Sequence, residues 1–436
     1  MRFNLLLTNQ YDNEMKKLLL FFSMVLATMA LSAQVETEIV TGAGYPDEVY
    51  YSLEDGIVST LARDTWDLGF TTSNFSISIL ANTASEVEVY TYPDGDTADW
   101  ANLDTTGMVW TPLYNSIETL DEGAFSYNST GHPDYGWGTY NMTTHNITGD
   151  SLYVIKTVGG VFKKLAILKR MSMANTWTFK FANLDGTEEQ TVELNSGDYT
   201  DKAFVYYSID NMEILDREPA KTSWDLLFSR YYDYTIPYMV SGVLTNELHV
   251  MAQEVKEEGL DQGTFVEFED SSFTSVISVI GSDWKSFNMG EMMYELDSTV
   301  VFFLKKYAET ESNGMKAAGT DSTYYKIYFT GFDMSTGLYT FIQEKLSAVS
   351  TGNPGMIQIF QVYPNPASEY VNVVFDYTGD TEIQIIDMTG RTVHSIVHHA
   401  GGFTNLSLDI ARLKPGLFFL KVNNGNETGV VRFIKE

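Results

Sequence analysis

The sequence predicts an all-β protein with two tandem duplicated antiparallel β-rich domains followed by a small C-terminal β-sandwich. Aromatic residues make up 14% of the chain, with 27 Tyr and 26 Phe but only 10 Pro, a composition that favours strands. Short segments such as residues 177–181 and 325–329 alternate between apolar and polar side chains, which is typical of half-buried strands. Long helical patterns are missing from the sequence. Ordered segments also recur through the middle of the chain.

Two sequence motifs carry the evidence for duplication. VYYSL at residues 49–53 recurs as VYYSI at 205–209, and TWDLGF at 65–70 recurs as SWDLLF at 223–228. The offset is nearly constant and far longer than a solenoid repeat, so a whole domain is duplicated. The predicted copies are residues 34–195 and 196–348.

The N-terminus predicts export. Lys16 and Lys17 precede an apolar run over residues 18–31, and a small residue, Ala33, stands before Gln34. This order is typical of a secretory signal peptide, and the run is too short for a membrane span. We therefore assign residues 1–33 to an N-terminal extension and signal peptide, and expect no transmembrane segment in the mature chain.

Charge and cysteine content exclude several classes of function. The formal net charge is −31, and nearly all of it lies on residues 34–352. Binding to nucleic acid is not expected, because contact with phosphates needs a basic surface. The chain has no cysteine, which excludes a disulfide framework, thiolate catalysis and Cys-ligated metal.

The last part of the chain predicts a separate small domain. A polar, turn-rich linker at residues 349–358 precedes a domain at 359–436, in which alternating segments such as 370–375 and 382–387 are separated by Gly, Pro and Asn. The ordered motifs are YPNPAS, IxIIDMTGRTV, LKPGLFFLKV and VVRFIK. In these motifs the domain resembles the type A C-terminal sorting domain of the type IX secretion system. The matching signature residues are Pro364, Asn365, Pro366, Gly390, Arg391, Pro415 and Gly416.

This resemblance implies how the protein reaches its destination. It implies passage through the type IX machinery of a Bacteroidetes-type bacterium, with removal of the tail by its processing apparatus. The remaining chain would then be released outside the cell or attached to surface lipopolysaccharide.

A second resemblance covers the duplicated region. WDLxF, SGVLTN at 241–246, DWKSFN at 283–288, YYKIYF at 324–329 and GLYTF at 337–341 occur in this order. The second copy, and more weakly the first, resembles the HmuY-like family of secreted or surface β-proteins that bind haem. The resemblance therefore implies haem as an alternative function.

Two methionines are the candidate haem ligands. In the family pattern one axial ligand lies five residues after a strand Trp, which corresponds here to Met142 after Trp137 and Met289 after Trp284. The second copy has no His or Met aligned with the other ligand. We therefore expect no cofactor, and the alternative interpretation packs each sulfur beside aromatic rings.

Other residues are candidates for ligand contact. His132 and His145 lie near Met142 and predict either a ligand contact or a polar surface loop, and no metal site is expected because their spacing matches no metal-binding motif. A group of tyrosines predicts exposed rings in a loop between strands, typical of a binding surface. These are Tyr231, Tyr232, Tyr234 and Tyr238.

Trp66 and Trp224 precede Asp-Leu-x-Phe in the two copies. The alternation predicts that each Trp shares one face of the strand with the Leu and Phe that follow. We expect this face to belong to the core, and the second interpretation is that it forms a platform for a ligand.

The sequence as a whole favours a secreted or surface-attached, non-enzymatic binding or adhesion protein with an unknown extracellular ligand. No nucleophile motif, Walker loop or complete dinucleotide fingerprint is present. A haem-binding nutrient-acquisition protein is the first alternative. A secreted hydrolase with an unrecognised carboxylate site is the second.

Overall fold

The part of the chain that the structure describes consists of β-strands joined by turns and short 3₁₀ segments, which confirms the all-β prediction. It is a computed structural model and describes residues 34–74, 76–307, 322–346, 358–363, 367–387, 391–423 and 428–436. The predicted signal segment and residues 349–357 of the predicted linker lie outside these ranges. The chain forms two compact units, one ending at residue 347 and one starting at 348.

The first unit contains 23 described strands. In chain order they begin with β1 (Gln34–Val40), β2 (Asp47–Ser52), β3 (Gly56–Ala62), β4 (Leu68–Thr71), β5 (Ile79–Ala81), β6 (Glu88–Asp96), β7 (Pro112–Leu113) and β8 (Gly138–Tyr140). They continue with β9 (Asn146–Gly149), β10 (Ser151–Lys156), β11 (Phe162–Met171), β12 (Thr176–Asn183), β13 (Gln190–Asn195), β14 (Phe204–Ser208) and β15 (Glu213–Leu215). The remaining strands are β16 (Leu226–Asp233), β17 (Tyr238–Thr245), β18 (Val250–Lys256), β19 (Lys285–Asn288), β20 (Met293–Leu296), β21 (Val300–Tyr307), β22 (Ser322–Asp333) and β23 (Leu338–Leu346). The 3₁₀ segments are Arg63–Thr65, Thr83–Ser85, Thr97–Asn102, Ala124–Ser126, Ser196–Tyr199 and Asp270–Ser272.

Strands β4 to β15 form the first lobe. One of its sheets has the order β13-β12-β11-β10-β6-β7, with β9 attached to β11 and β8 to β9, and the other has the order β15-β14-β4-β5. Phe70 in β4 and Phe179 in β12 meet in the core between the sheets, with ring centroids 4.9 Å apart. Because side chains alternate along a strand, each sheet contributes one apolar face to this core.

Strands β1 to β3 and β16 to β23 form the second lobe. Its sheets have the orders β1-β23-β22-β21-β18 and β17-β16-β2-β3, and β19 and β20 form a separate hairpin. Phe228 in β16 and Phe341 in β23 lie 5.7 Å apart in its core. The segments predicted as strands at 177–181 and 325–329 lie in β12 and β22.

Strand pairing crosses the boundary that the sequence predicts between residues 195 and 196. β2, from the first predicted copy, pairs with β16 of the second lobe, while β14, from the second predicted copy, pairs with β4 of the first lobe. The boundary at 195 therefore separates repeats of sequence but not units of folding. Each VYYS segment completes the sheet that contains the other copy's WDLxF strand.

The Asp of each WDLxF motif anchors this exchange through equivalent hydrogen bonds. Asp67 accepts a hydrogen bond from the backbone N–H of Ile209 at 2.7 Å, and Asp225 accepts one from the N–H of Leu53 at 2.7 Å. Asp225 also lies 2.9 Å from Nε2 of His249 and 3.1 Å from Nζ of Lys306. Burial alone would raise the pKa of Asp225, but His249 and Lys306 hold that pKa below its ordinary value.

A second pair of equivalent side chains supports the duplication. Nδ2 of Asn82 donates to the backbone oxygen of Trp66 at 2.8 Å, and Nδ2 of Asn246 donates to the backbone oxygen of Trp224 at 2.9 Å. Equivalent Asn side chains therefore hold equivalent turns, one before β4 in the first lobe and one before β16 in the second lobe.

The second unit forms one five-stranded sheet. The central strand β25 pairs with β26 along one edge. Along its other edge, the first part of β25 pairs with β24 and the last part pairs with β27. β27 pairs in turn with β28. Val373 and Ile385, from the two parts of β25, lie in one core with Leu420. The alternating segments 370–375 and 382–387 therefore belong to a single strand that changes partners along its length. The strands are β24 (Gln358–Tyr363), β25 (Tyr370–Asp387), β26 (Thr392–Asp409), β27 (Gly416–Asn423) and β28 (Thr428–Lys435).

Replacing Asp225 with Ala should strongly destabilise the first unit. The change leaves the N–H of Leu53 and the ammonium of Lys306 without this carboxylate, and breaking a buried ion pair costs about 3–5 kcal/mol. Urea unfolding followed by fluorescence would measure the loss of unfolding free energy.

The matched control is Lys256→Ala, which breaks a pair with Asp297 in which the Lys side chain is 59% exposed. Because exposed ion pairs contribute little, this variant should unfold like the wild type. Equal losses in both variants would contradict the anchoring role of Asp225.

Candidate functional site

A cavity of about 110 Å³ lies between the two lobes of the first unit. Both lobes contribute to the seven aromatic residues of its wall, which are Tyr50, Trp66, Phe204, Tyr206, Trp224, Tyr231 and Tyr232. Pockets lined mainly by aromatic and apolar side chains with a few polar groups are the usual sites for small ligands. This cavity is therefore the candidate site.

The two VYYS strands place one tyrosine in a core and the next in the cavity wall. Tyr51 lies in the core of the second lobe and Tyr207 in that of the first, whereas Tyr50 and Tyr206 line the cavity. This follows from the strand period, because successive side chains point to opposite faces.

Each cavity tyrosine packs against the tryptophan of the other copy. The rings of Tyr50 and Trp224 are 5.0 Å apart at 83°, and those of Tyr206 and Trp66 are 4.7 Å apart at 70°. Edge-to-face contacts of this kind add to the stability gained from burial. Strand exchange has therefore built the wall of the cavity from two equivalent Tyr–Trp pairs.

The shared face predicted for Trp66, Leu68 and Phe70 is wrong. Leu68 and Phe70 lie in the core of the first lobe, but Trp66 belongs to a separate cluster with Phe204 and Tyr206. The physical reason is that β4 begins at Leu68, so Trp66 precedes the paired strand. Trp66 lies in the cavity wall. The second interpretation of this Trp, a platform for a ligand, stays a prediction.

One ion pair is buried beside the cavity. The guanidinium of Arg217 contacts the carboxylate of Glu48, and its Nη2 donates to the backbone oxygen of Ala62 at 2.9 Å. Burial would lower the pKa of Arg217, but the charge of Glu48 raises it above its ordinary value. The two charges therefore neutralise each other at this wall.

Glu218 is the second buried carboxylate of the cavity wall. It accepts hydrogen bonds from the N–H of Ala203, from the N–H of Phe204 at 3.0 Å and from the hydroxyl of Tyr206 at 2.7 Å. Burial raises the pKa of Glu218 to about 7, against the opposing effect of these donors. Its proton occupancy therefore changes close to neutral pH.

Three buried polar atoms of the wall have no hydrogen-bond partner among the residues that the structure describes. They are Nε1 of Trp66, Nε1 of Trp224 and Oδ1 of Asn82. The two indoles are only 7% and 3% exposed. A buried polar group left unpaired costs about 1–3 kcal/mol, so these three atoms, which are almost completely covered by protein, lower the stability of the wall.

Two of the four predicted contact tyrosines line this cavity. Tyr231 and Tyr232 do so from β16, where Tyr232 stacks on Tyr114 of the first lobe with ring centroids 3.6 Å apart. Tyr234 and Tyr238 are 42% and 58% exposed. The prediction of one loop was wrong for Tyr231, Tyr232 and Tyr238, because β16 and β17 extend further than the corresponding strands of the first lobe.

The candidate haem ligands lie away from the cavity. Met142 follows β8 and Met289 follows β19, at the tips of equivalent hairpins, and their side chains are 74% and 80% exposed. The alternative, a sulfur packed beside aromatic rings, stays a prediction.

The two candidate histidines lie near the first of these tips. Both are exposed; Nδ1 of His132 is 3.1 Å from the hydroxyl of Tyr135, and Nδ1 of His145 is 2.6 Å from the hydroxyl of Tyr140. In the part of the chain covered by the structure, no three His, Asp or Glu residues come together as a metal site. The exposure of both histidines agrees with the polar surface loop, one of the two interpretations that the sequence left open.

Four of the seven predicted sorting residues lie outside the described residues: Pro364, Asn365, Pro366 and Gly390. Of the others, Pro415 and Gly416 are exposed where β27 begins. Arg391 is 76% exposed and lies 3.1 Å from the carboxylate of Asp387. The visible part of the signature is therefore on the surface, where another protein can contact it.

Comparison with known families settles the role of this last unit. Residues 361–436 match the family model described as the secretion system C-terminal sorting domain. The protein is exported by the type IX route. It is delivered to the extracellular space or the outer cell surface, and its sorting domain interacts with the type IX machinery. None of the curated proteins compared with the chain matched it.

No helix in the described ranges is long and apolar enough to cross a membrane.

Sequence reasoning missed Tyr50, Tyr206, Glu218 and Asn82 as parts of one site. The recurrence of VYYS and WDLxF was the available signal, because it marks equivalent positions. It did not show that each motif packs against the partner motif of the other copy.

Replacing Glu218 with Gln should remove part of the pH dependence of stability. Since the folded pKa of about 7 lies above the unfolded value of 4.5, the folded state holds an extra proton between these pH values. The wild type should therefore lose up to about 3 kcal/mol of unfolding free energy as the pH rises through this window.

The measurement is urea unfolding between pH 5 and 8. The Glu218→Gln variant should show a flatter dependence, whereas Asp216→Asn, at a side chain 54% exposed, should follow the wild type. If the unfolding free energy of Glu218→Gln falls with pH as steeply as that of the wild type, this role of Glu218 is contradicted.

The exposed methionines should not ligate haem. When haemin is added to the purified protein, the double variant Met142→Leu/Met289→Leu should give the same Soret spectrum as the wild type, because both sulfurs lie in solvent. A wild-type Soret shift that disappears in the double variant would show that they are ligands after all.

Proposed function

We propose that this exported protein is a non-enzymatic extracellular binding or adhesion protein whose ligand occupies the cavity between the lobes. The observation that carries the proposal is the cavity itself, whose wall combines aromatic side chains of both lobes, among them the equivalent residues Trp66 and Trp224. Cavities lined mainly by aromatic and apolar side chains with a few polar groups are the usual sites for small ligands.

The carboxylates of the wall favour binding over hydrolysis. Glu48 is held by Arg217, and Glu218 already accepts three hydrogen bonds. A carboxylate serving as general acid or base needs an oxygen free to reach the substrate. These two groups instead fix the shape of the wall and position Tyr206.

The HmuY-like ancestry of the two lobes is part of the proposal. Its support is the order of WDLxF, SGVLTN, DWKSFN, YYKIYF and GLYTF in the sequence. The equivalent bonds of Asp67 and Asp225 and of Asn82 and Asn246 support the duplication alone. Haem is not included in the proposal, because Met142 and Met289 lie outside the cavity. After removal of the tail, the first unit would act in solution or attached to surface lipopolysaccharide.

Filling the cavity should abolish binding. Ala84 lines it from the segment Thr83–Ser85, and Ala84→Phe places a ring in the space. The full chain would be titrated with phenol, benzoate, cyclohexanol, glucose and galactose while tryptophan fluorescence is recorded. At least one compound should give saturable binding to the wild type, and none should bind Ala84→Phe.

Ala98→Phe is the control, since Ala98 is exposed on another 3₁₀ segment, Thr97–Asn102. It should bind like the wild type, and melting temperatures would show that both variants are folded. Binding that persists in a folded Ala84→Phe variant, or no saturable binding by the wild type, would overturn the proposal.

A further inference from the structure

We propose that the side chains of Lys163 and Asn183 join in an intramolecular amide bond, a covalent cross-link for which Glu188 is the general base. The site lies in the first lobe, at one end of β11 and β12. It is independent of the ligand proposed for the cavity. It follows from the contacts, burial and chemistry of these three side chains.

The register of the sheet brings the two reacting side chains together. Lys163 in β11 is paired directly with Asn183 in β12. The next pair on the same face is Leu165 with Phe181, and both belong to the core of the first lobe. Because alternate residues of a strand share a face, Lys163 and Asn183 lie on the core side of the sheet. The side chain of Lys163 is accordingly only 7% exposed.

Three polar groups meet at this pair. Nζ of Lys163 lies 2.9 Å from Oδ1 of Asn183, so the nitrogen is next to the amide carbonyl that it attacks. The carboxylate of Glu188 lies 3.7 Å from the same nitrogen, and Nδ2 of Asn183 donates to its Oε2 at 3.2 Å. One carboxylate is therefore close to both the attacking and the leaving nitrogen, which is the place of a group that moves protons between them.

The chemistry of its partner separates Lys163 from other lysines with buried partners. Lys306, for example, contacts the carboxylate of Asp225. An ionised carboxylate resists attack by an amine because of its negative charge, whereas the amide of Asn183 is neutral. Among the residues that the structure describes, Lys163 is the one lysine whose ammonium donates a hydrogen bond to a side-chain amide.

The backbone at Glu188 has an unusual conformation. Its φ of 56° lies in the left-handed region, which favours glycine over residues with a side chain. The loop is held there because Nδ2 of Asn183 donates to Oγ1 of Thr187 at 2.8 Å and the N–H of Asn183 donates to the backbone oxygen of Thr187 at 2.9 Å. Conformations of this kind persist where the surroundings fix them, and they cluster at active sites. Here the conformation accompanies a carboxylate placed against Lys163 and Asn183.

The reaction balances without a further reactant. Glu188 takes a proton from the ammonium of Lys163, and the free amine attacks Cγ of Asn183, so that a bond forms between Nζ and Cγ. The bond between Cγ and Nδ2 then breaks. Of the three ammonium protons, one stays on the new amide, and Glu188 passes the other two to Nδ2, which leaves as an ammonium ion. The side chain of Glu188 is 62% exposed, so this ion departs directly into water.

The cross-link supplies a covalent constraint that the composition otherwise lacks. The chain has no cysteine, so it has no disulfide to stabilise it outside the cell. An amide bond between residues 163 and 183 closes a loop of chain in the unfolded state as well as in the folded state. A closed loop lowers the conformational entropy of the unfolded chain, and the bond therefore stabilises the first lobe.

Mass spectrometry of the purified full chain tests the inference. The intact protein should be lighter by one ammonia than the mass of its amino-acid sequence. Trypsin should release a branched peptide in which residues 157–164 are joined to residues 181–202, because trypsin does not cleave after an acylated Lys163. Other side chains can also lose ammonia, so the branched peptide, sequenced by fragmentation, decides the result.

Matched variants test the two roles. Lys163→Arg removes the nucleophile but keeps a positive charge, and it should abolish the branched peptide. Glu188→Gln removes the base but keeps the shape, and it should lower the yield of the peptide at least about tenfold. The controls are Lys164→Arg, at a lysine that donates to the backbone oxygen of Trp100, and Glu193→Gln, at an exposed side chain of β13. Both controls should retain the peptide, and circular dichroism would show that every variant is folded.

Three results would overturn the inference. The first is a wild-type digest that contains residues 157–163 and 181–202 only as linear peptides. The second is a branched peptide that persists in Lys163→Arg, since its nitrogen would then come from another side chain. The third is an unchanged yield in folded Glu188→Gln, which would remove Glu188 from the reaction.

Discussion

Neither lobe of the first unit is complete without a strand supplied by the other copy of the repeat. β2 joins β16, β14 joins β4, and Asp225 and Asp67 hold these junctions through backbone N–H groups. A buried carboxylate is stable only when its oxygens are paired, so the anchor and the exchanged strand depend on each other. The two copies are therefore expected to fold as one cooperative unit.

The cavity is a direct consequence of this exchange. Side chains alternate along a strand, so a segment that places Tyr51 or Tyr207 in a core must place Tyr50 or Tyr206 on the other face. Those faces meet between the lobes and bring the Trp residues of both copies together. Duplication thus produced a paired aromatic wall, and the differences between copies, such as Glu218 and the longer β16–β17 hairpin, made it asymmetric.

Export and binding are assigned to different parts of the chain. The sorting domain has its own core, built from both parts of β25 and from β27, and it accounts for delivery to the exterior. Most of the negative charge lies on the region before it. An acidic surface keeps an extracellular protein soluble, while at the cavity wall Glu48 is paired with Arg217.

The sequence by itself determined the strand character of the chain, the repeats and the sorting tail, because period-two alternation and ordered motifs are local signals. It also marked Trp66 and Trp224 as equivalent, and it selected Tyr231 and Tyr232, which line the cavity. Only the tertiary structure decided that VYYS of one copy pairs with WDLxF of the other. Strand pairing between residues more than 130 positions apart leaves no local signature, since either copy offers the same apolar face. For that reason the sequence predicts a domain boundary at residue 195, whereas the candidate site contains residues from both sides of that boundary.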